Sequence, residues 1–495
     1  MPGVPARDTG HPAFGPAPSR LRFTGSCGAG HARALGSTPP GPDRTVPYRR
    51  YRPYGQHGQH GQHPQGTKAH APHAPPLSPA DATPPGTADS SSGVTVERGV
   101  TVERRDFRRR TFLRAAVLTG SAAVFGGTLW RGAAHADPAQ PGTGPYGALG
   151  PADANGVQLP QSFTSRVIAR SGQAVSGTSY TWHPAPDGGA CFADSGGGWI
   201  YVSNSEVALT GGASAVRFSS SGAVTGAYRV LSNTSVNCAG GRTPWNTWLS
   251  CEEIDRGYVY ETDPWGTVSA ARRSAMGRFK HEAAAADPDR RVVYLTEDES
   301  DGCLYRFRPA TWGDLSTGTL EVLTMGDGTS GPVGWAAVPN PSPGVFGTRT
   351  RAQVAAAKHF DGGEGCYYAN GTCWFTTKGD NRVWQLDCAA DTIELAYDDS
   401  LVTGGQAPLT GVDNVTGTAS GDLYVAEDGG NMEICVITPQ GVVAPFLRVT
   451  GHSGSEITGP AFSPDGRRLY FSSQRGTGNS SSAGVTFEVT GPFRA

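Results

Sequence analysis

A short apolar strand with an aromatic residue at its centre recurs through residues 196–475. It reads GGGWIYVSNSE (196–206), NTWLSCEE (246–253), RRVVYLTEDE (290–299), GTCWFTTKGDN (371–381), GDLYVAEDGG (421–430) and GRRLYFSSQR (466–475). The central aromatics are Tyr201, Trp248, Tyr294, Trp374, Tyr424 and Tyr470, separated by 47, 46, 80, 50 and 46 residues. Four of the five intervals lie near the ~45-residue spacing of a four-stranded propeller blade. Helical periodicity is nearly absent, and a β-sandwich of the same strand content does not explain the quasi-period. The sequence therefore predicts an all-β chain folded as a six-bladed β-propeller.

Further strands flank these cores. VRFSS and AYRVL precede the second, CLYRFRP follows the third, RVWQLD the fourth, and EICVITPQGVVAPFLRV the fifth. Asn370-Gly371 and Asp465-Gly466 are strong hairpin turns. The long interval predicts an insertion around 300–365, with TWGDLSTGTLEVLTM as one more hairpin and PSPGVFGTRTRAQVAAAKHF as loop or short helix. Residues 485–491, VTFEVTG, are expected to pair with an early strand such as SRVIARS (165–171), closing the ring and removing free sheet edges.

Acids follow the core strands at one phase of the repeat: Glu206, Glu252 and Glu253, Glu297 to Glu299, and Glu427 with Asp428. Any one of them is ordinarily a solvated turn. Equivalent strand ends of successive blades meet around a propeller's channel, so the recurrence predicts a ring of carboxylates able to bind metal, beneath extended loops on that face. GRFKHEAAAADP (277–288) adds His281-Glu282, and HFDGGEGCYYANG (359–371) adds Glu364, whose following Gly365 would let backbone approach a ligand. Oxygen-rich sites select calcium or magnesium, and carboxylates also suit ferric iron. Residues 137–495 hold four histidines, which disfavours a three-histidine zinc site. No Gly-x-Ser-x-Gly elbow, Walker loop or dinucleotide fingerprint is present.

Charge points the same way. Residues 1–136 carry 17 Lys and Arg against 7 Asp and Glu, out of 41 and 43 in the whole chain. That leaves 24 basic and 36 acidic residues beyond Ala136, a net charge near −12. Lysine occurs there only at 280, 358 and 378. Such a surface argues against nucleic acid, whose backbone demands a basic face. It favours cations, or an anionic substrate met once metals have reversed the local sign.

The amino-terminal region reads as non-propeller sequence. Residues 1–107 form a leader rich in Pro, Gly, Gln and His that cannot build a core, and translation starting downstream of Met1, as at Val94 or Val100, would account for it. Residues 108–136 open RRRTFLR, continue through about sixteen weakly apolar residues and end Ala-His-Ala, which describes a twin-arginine export signal cleaved after Ala136. The apolar stretch is shorter than the ~20 residues of a comfortable span, so no membrane anchor is expected. The expected product is residues 137–495, a single propeller, monomeric and secreted or loosely cell-associated, having met the twin-arginine translocation machinery on export. Its eight cysteines allow disulfides in an oxidising exterior without requiring them.

NCAGGRTPWNTWLSCEE (237–253), GRFKHEAAAADP and VVYLTEDESDGCLYRF together resemble the PhoX family of secreted alkaline phosphatases, a likeness spanning essentially all of 137–495. The resemblance implies a six-bladed propeller holding ferric iron and calcium, one iron on a cysteine thiolate, and hydrolysis of phosphate monoesters without a serine nucleophile. Carried over, it assigns Cys238 and Glu253 to iron, and Glu282, Glu297, Glu299 and Glu364 to iron or calcium. Glu427 and Asp428 are matched less closely. Arg242 and Lys280 are chemical candidates for neutralising phosphate. With Cys238 as a ligand, seven cysteines remain. Cys366 and Cys373 flank the Asn370-Gly371 turn as diagonal neighbours, bridgeable only after distortion.

One departure concerns the fourth segment, where the family has an Arg-Pro-Glu-Gly-like run whose arginine contacts phosphate. This chain reads Asp361-Gly362-Gly363-Glu364-Gly365. The metal ligand is kept and the phosphate clamp is not. Two other readings stay open at this level: a calcium-dependent lactonase or phosphotriesterase, and a metal-binding propeller without turnover.

Overall fold

The computed structural model describes residues 137–494. The leader and export signal expected over residues 1–136 fall outside the described residues. The six aromatic segments become the second strands of six antiparallel sheets. Each sheet opens with a channel-lining strand: Pro186–Ala193, Asn237–Arg242, His281–Asp287, Gly363–Ala369, Val412–Gly417 and Ile457–Phe462. These strands head blades 1 to 6 in chain order. Each packs against the first strands of both neighbours, and blade 6 returns to blade 1. The chain is an all-β, six-bladed β-propeller.

The periodic aromatics are the wedges between blades. Tyr201, Tyr294, Tyr424 and Tyr470 are at most 1% exposed, and Trp248 and Trp374 are 2% exposed. Tyr201 of blade 1 stacks on Tyr470 of blade 6 with ring centroids 4.9 Å apart. Such burial in each gap supplies the apolar contact that one small sheet cannot find within itself.

Closure follows the sequence expectation. Thr164–Arg170 pairs antiparallel with Val485–Thr490 and becomes the outermost strand of blade 6. Arg166 reinforces the seam, donating from Nε and Nη2 to the Glu488 carboxylate at 2.8 and 2.7 Å. Two short segments not foreseen from sequence also join a sheet. Gln140–Pro141 and Val157–Gln158 both pair with Val442–Val449 of blade 5.

The long interval is resolved differently from expectation. Asp314–Thr324 is one strand, hairpinned against Gly302–Thr311 as part of blade 3, and not a hairpin in itself. Gly334–Ala337 adds a further strand to blade 3, while Gly331–Pro332 pairs with Thr392–Asp398 of blade 4. The insertion thus ties two blades together. Asn370 and Gly371, at φ 51° and 86°, make the expected tight turn. Cys366 and Cys373 lie with their sulfurs 3.6 Å apart, and all eight described cysteines are free thiols.

Ile168 on the closing strand is 5% exposed, whereas Leu209 is 82% exposed. Ile168→Ala should lower the unfolding free energy by about 2–5 kcal/mol, and Leu209→Ala by less than about 0.5 kcal/mol. Guanidinium unfolding of both variants checks the difference.

Candidate metal centre

The register between first and second strands slips near the head of every blade. In blades 1 to 5 the first residue to bulge is Asp187, Cys238, Glu282, Glu364 or Asp413. Blade 6 bulges one step later, at Gly459-Pro460, and its Thr458 hydroxyl donates to Pro186 O at 2.9 Å. A bulge breaks the two-residue alternation of a strand and re-aims a side chain. Here it gathers four carboxyl groups and a thiol from five blades.

The next residue along the bulge is small in blades 1 to 4, namely Gly188, Ala239, Ala283 and Gly365, because adjacent blades touch there, and it is Asn414 in blade 5. A Cβ on Gly188 would stand 2.5 Å from Ala239 Cα, and one on Gly365 would stand 2.5 Å from Val415 N. Gly365 therefore admits the neighbouring blade's backbone, where a ligand had been the expected neighbour. Polar latches fix the bulges from the preceding blade. Asn204 donates to Cys238 O at 3.0 Å, Thr296 to Glu364 O at 2.5 Å and Thr376 to Asp413 O at 2.5 Å.

A second tier is built just as regularly. The residue after each aromatic strand donates its amide to the carbonyl ahead of the bulge, in all six blades. The pairs are Glu206 to Ala185 (3.0 Å), Glu253 to Val236 (2.8 Å), Asp298 to Lys280 (3.2 Å), Lys378 to Gly362 (2.9 Å), Asp428 to Gly411 (2.8 Å) and Gln474 to Glu456 (3.1 Å).

The two tiers converge. Ligand atoms of Cys238, Glu253 and Glu282 lie within 4.8 Å of one another, as do those of Glu282, Glu364 and Asp413, and those of Asp187, Glu206 and Glu456. Glu282 belongs to two of these triplets. Lys280 ties the rim, its Nζ 2.8 Å from Glu253 and 2.7 Å from Asp298. Lys378 Nζ is 3.1 Å from Asp298 and also pairs with Glu364.

So many acids together are electrostatically unfavourable unless something positive joins them. Burial pushes Asp187 up to about 6 and Glu253 up to about 7. Burial, followed by the fields of neighbouring acids, holds Glu282 and Asp413 well above the carboxylate range. It also raises the Cys238 thiol, with Asp187 and Glu282 adding to the effect. Against the upward push of burial, the Lys378 and Lys280 ammonium groups hold Asp298 down at about 2. Glu282 decides whether the arrangement suits metal. It is fully buried, and neither carboxylate oxygen has a hydrogen-bond partner. Buried carboxylates ordinarily do, so an acceptor shared by two oxygen-rich triplets fits a bridging ligand. The mixed carboxylate and thiol set suits calcium and iron.

The structure sorts the residues singled out from sequence. It brings Cys238, Glu253, Glu282 and Glu364 together, with Lys280 at their rim and Asp428 in the second tier. Glu297 is elsewhere: it accepts from Tyr305 Oη at 2.7 Å and Arg351 Nη1 at 2.8 Å. Arg351 also reaches Glu299, at 3.4 Å, so these two acids anchor the turn Thr350–Ala352 beside the rim. Glu427 accepts the Thr410 and Glu433 amides at 2.9 and 3.0 Å and groups with Glu433 and Cys435 away from the ring. In each case strand alternation turns the last strand residue away and presents the next one, Asp298 or Asp428.

Arg242 sits at the opposite end of its strand from Cys238. It lines a cavity of about 530 Å³ at the other mouth of the channel, with Tyr367, Asn370 and Phe462. Sequence reasoning missed Asp187, Asp413, Glu456 and Lys378 as site residues. An acid followed by glycine, 14 positions before Tyr201, was the available signal for Asp187, and an acid 11 positions before Tyr424 was the signal for Asp413.

The family model described as "Alkaline phosphatase PhoX" matches residues 193–256, 254–397 and 377–476. The chain belongs to the PhoX alkaline phosphatase family. Among solved structures, Pseudomonas fluorescens PhoX in complex with vanadate, a transition state analogue, is similar with a TM-score of 0.56 and 19% identity, covering 69% of this chain and 97% of that one. At that identity the likeness concerns the fold. A gluconolactonase from Xanthomonas campestris follows at a TM-score of 0.38 and 12% identity, covering 70% and 99% of the two chains. The calcium-binding protein regucalcin from Agrobacterium tumefaciens gives 0.38 and 15%, covering 66% and 96%. No curated protein sequence matches the chain. The PhoX-family match includes every residue of the two triplets built on Glu282.

The raised carboxyls fix a pH dependence for the metal-stripped protein. Asp187 and Glu253 bind protons more tightly folded than unfolded, so folding takes up protons and stability falls as pH rises. Chelator-stripped protein should therefore lose thermal stability between about pH 4 and pH 7, the window set by these folded and unfolded values. Readdition of calcium and iron at pH 7 should restore it. Calorimetric scans at pH 5 and pH 8, with and without metals, check the sign.

Proposed function

We propose that this PhoX-family chain is an exported, metal-dependent phosphatase hydrolysing phosphate monoesters at the channel mouth. The observation that carries the reading is Glu282, buried and without a hydrogen-bond partner at the junction of two ligand triplets. In this reading Cys238, Glu253 and Glu282 hold ferric iron. Glu282, Glu364 and Asp413 hold a second cation, and Asp187, Glu206 and Glu456 a further one, with calcium suited to the all-oxygen sets. Bound ferric iron and calcium supply Lewis acidity, offsetting charge on phosphoryl oxygens and supporting attack by a water-derived nucleophile.

The chain's own residues supply the frame for that chemistry. The bulges set the ligand positions from rigid strands, and the Asn204, Thr296 and Thr376 latches keep their carbonyls from turning. Lys280 keeps Glu253 and Asp298 in place and favours their ionised forms, against the burial that raises Glu253. Glu297 and Glu299, through Arg351, hold the loop beside the mouth and stay outside the ligand set.

Protein matured through its export route should contain iron and calcium and hydrolyse p-nitrophenyl phosphate, with activity lost on chelation. Cys238→Ser should abolish iron loading and the accompanying colour. Glu282→Gln should weaken metal retention by more than the about 10–100-fold typical of residues that merely support a ligand. Elemental analysis alongside the assay decides: metal-loaded protein inert toward phosphomonoesters would sink the phosphatase reading, and normal iron content in Cys238→Ser would sink the thiolate assignment.

A further inference from the structure

The second tier breaks its own charge pattern once. Its six equivalent positions hold Glu206, Glu253, Asp298, Lys378, Asp428 and Gln474, so Lys378 is its one cation. The Lys378 backbone is held as in the other blades, and its side chain runs inward to Asp298 and Glu364. The side chain is nevertheless 38% exposed, more than that of Lys280 at 29%. Lys378 thus spans from the solvent at the mouth to a member of the ligand ring.

Lys378 is not alone in neutralising Asp298. Lys280 already stands 2.7 Å from that carboxylate. A lysine ammonium carries three N–H donors, and Asp298 and Glu364 occupy two of those of Lys378. Its path is kept open by Gly362, the residue whose carbonyl accepts the Lys378 amide. Gly362 lies at φ 71°, and a Cβ there would meet Lys378 Cγ at 3.1 Å and Asp298 Oδ1 at 3.3 Å. The corresponding carbonyl-bearing positions in blades 3 and 6 carry Lys280 and Glu456. In blade 4 the first position is bare and the cation comes from the second tier.

We propose that Lys378 is the substrate-binding cation of this site, donating to an oxygen of the substrate's phosphoryl group. The inference rests on the phosphatase reading and extends it to a preference. A single ammonium recognises charge without the planar fork of a guanidinium. It favours a doubly charged monoester over a singly charged diester.

The test uses the metal-loaded protein, with inorganic phosphate as probe in titration calorimetry, elemental analysis of the same samples, and p-nitrophenyl phosphate kinetics. Lys378→Met should keep its metals and lose about 10–100-fold in phosphate affinity, as expected for a charge-assisted hydrogen bond. Its kcat/KM should fall by a similar factor, and Lys378→Arg should recover most of both. Unchanged phosphate affinity in metal-replete Lys378→Met would overturn the assignment and leave the phosphatase reading standing. Loss of metal in Lys378→Met, not repaired by Lys378→Arg, would overturn it by making the lysine a support for Glu364. Phosphate binding that depends on Lys378 in a wild-type protein inert toward phosphomonoesters would support the cation's role and sink the phosphatase reading.

Discussion

The amide that follows each aromatic strand donates to the carbonyl two residues ahead of a bulge ligand, or of Thr458 in blade 6, six times around the channel. That hydrogen bond fixes where one strand stops and its partner begins to slip. The slip then decides which side chain leaves the pleat. Five of the six places deliver a group able to hold a cation, and the second tier delivers four more carboxylates. Because donors and acceptors are backbone atoms, the scaffold is independent of which residue each blade presents. Side-chain identity can then vary around the ring without disturbing the frame.

The frame makes close blade contact compulsory. Gly188 and Gly365 leave no room for a Cβ against the next blade, so the bulges form a tight collar. Polar latches from the second strands satisfy carbonyls that the slipped register would otherwise leave unpaired. The collar also divides the channel. Acids and lysines crowd one mouth, while glycine and alanine backbone with Arg242, Tyr367 and Phe462 line the other. Two ends of the same six strands therefore have different chemistry.

Gathering acids in this way opposes folding of the metal-free chain: burial raises Glu282, Asp413 and Asp187, and repulsion from neighbouring acids adds to it at Glu282 and Asp413. Lys280 and Lys378 relieve part of it at Asp298, Glu253 and Glu364. No such partner reaches Glu282. A cation joining that carboxylate reverses the local logic, turning the least favourable charges into ligands and permitting a thiolate at Cys238.

Much of this was legible in the linear chain. The spacing of Tyr201, Trp248, Tyr294, Trp374, Tyr424 and Tyr470 predicted the blades, because each buried wedge must recur once per sheet. The need to cover free sheet edges led to 485–491 as the closing strand. Cys238, Glu282 and Glu364 stood out through the family resemblance, the two glutamates also through their place just before the third and fourth cores. What local pattern could not decide was phase. Glu297 and Asp298 are adjacent acids, as are Glu427 and Asp428, and a one-residue difference sends one into the framework and the other toward the mouth. Asp187 and Asp413 carried no acidic cluster to mark them, and Lys378 entered only as one of three lysines beyond Ala136. The sequence by itself determined the number of blades, the wedges between them and the acidic character of the chain. Only the tertiary structure decided which acids come within reach of one common cation position, since the bulge that aims each one exists through contacts with the neighbouring blade, about 45 residues away in the chain.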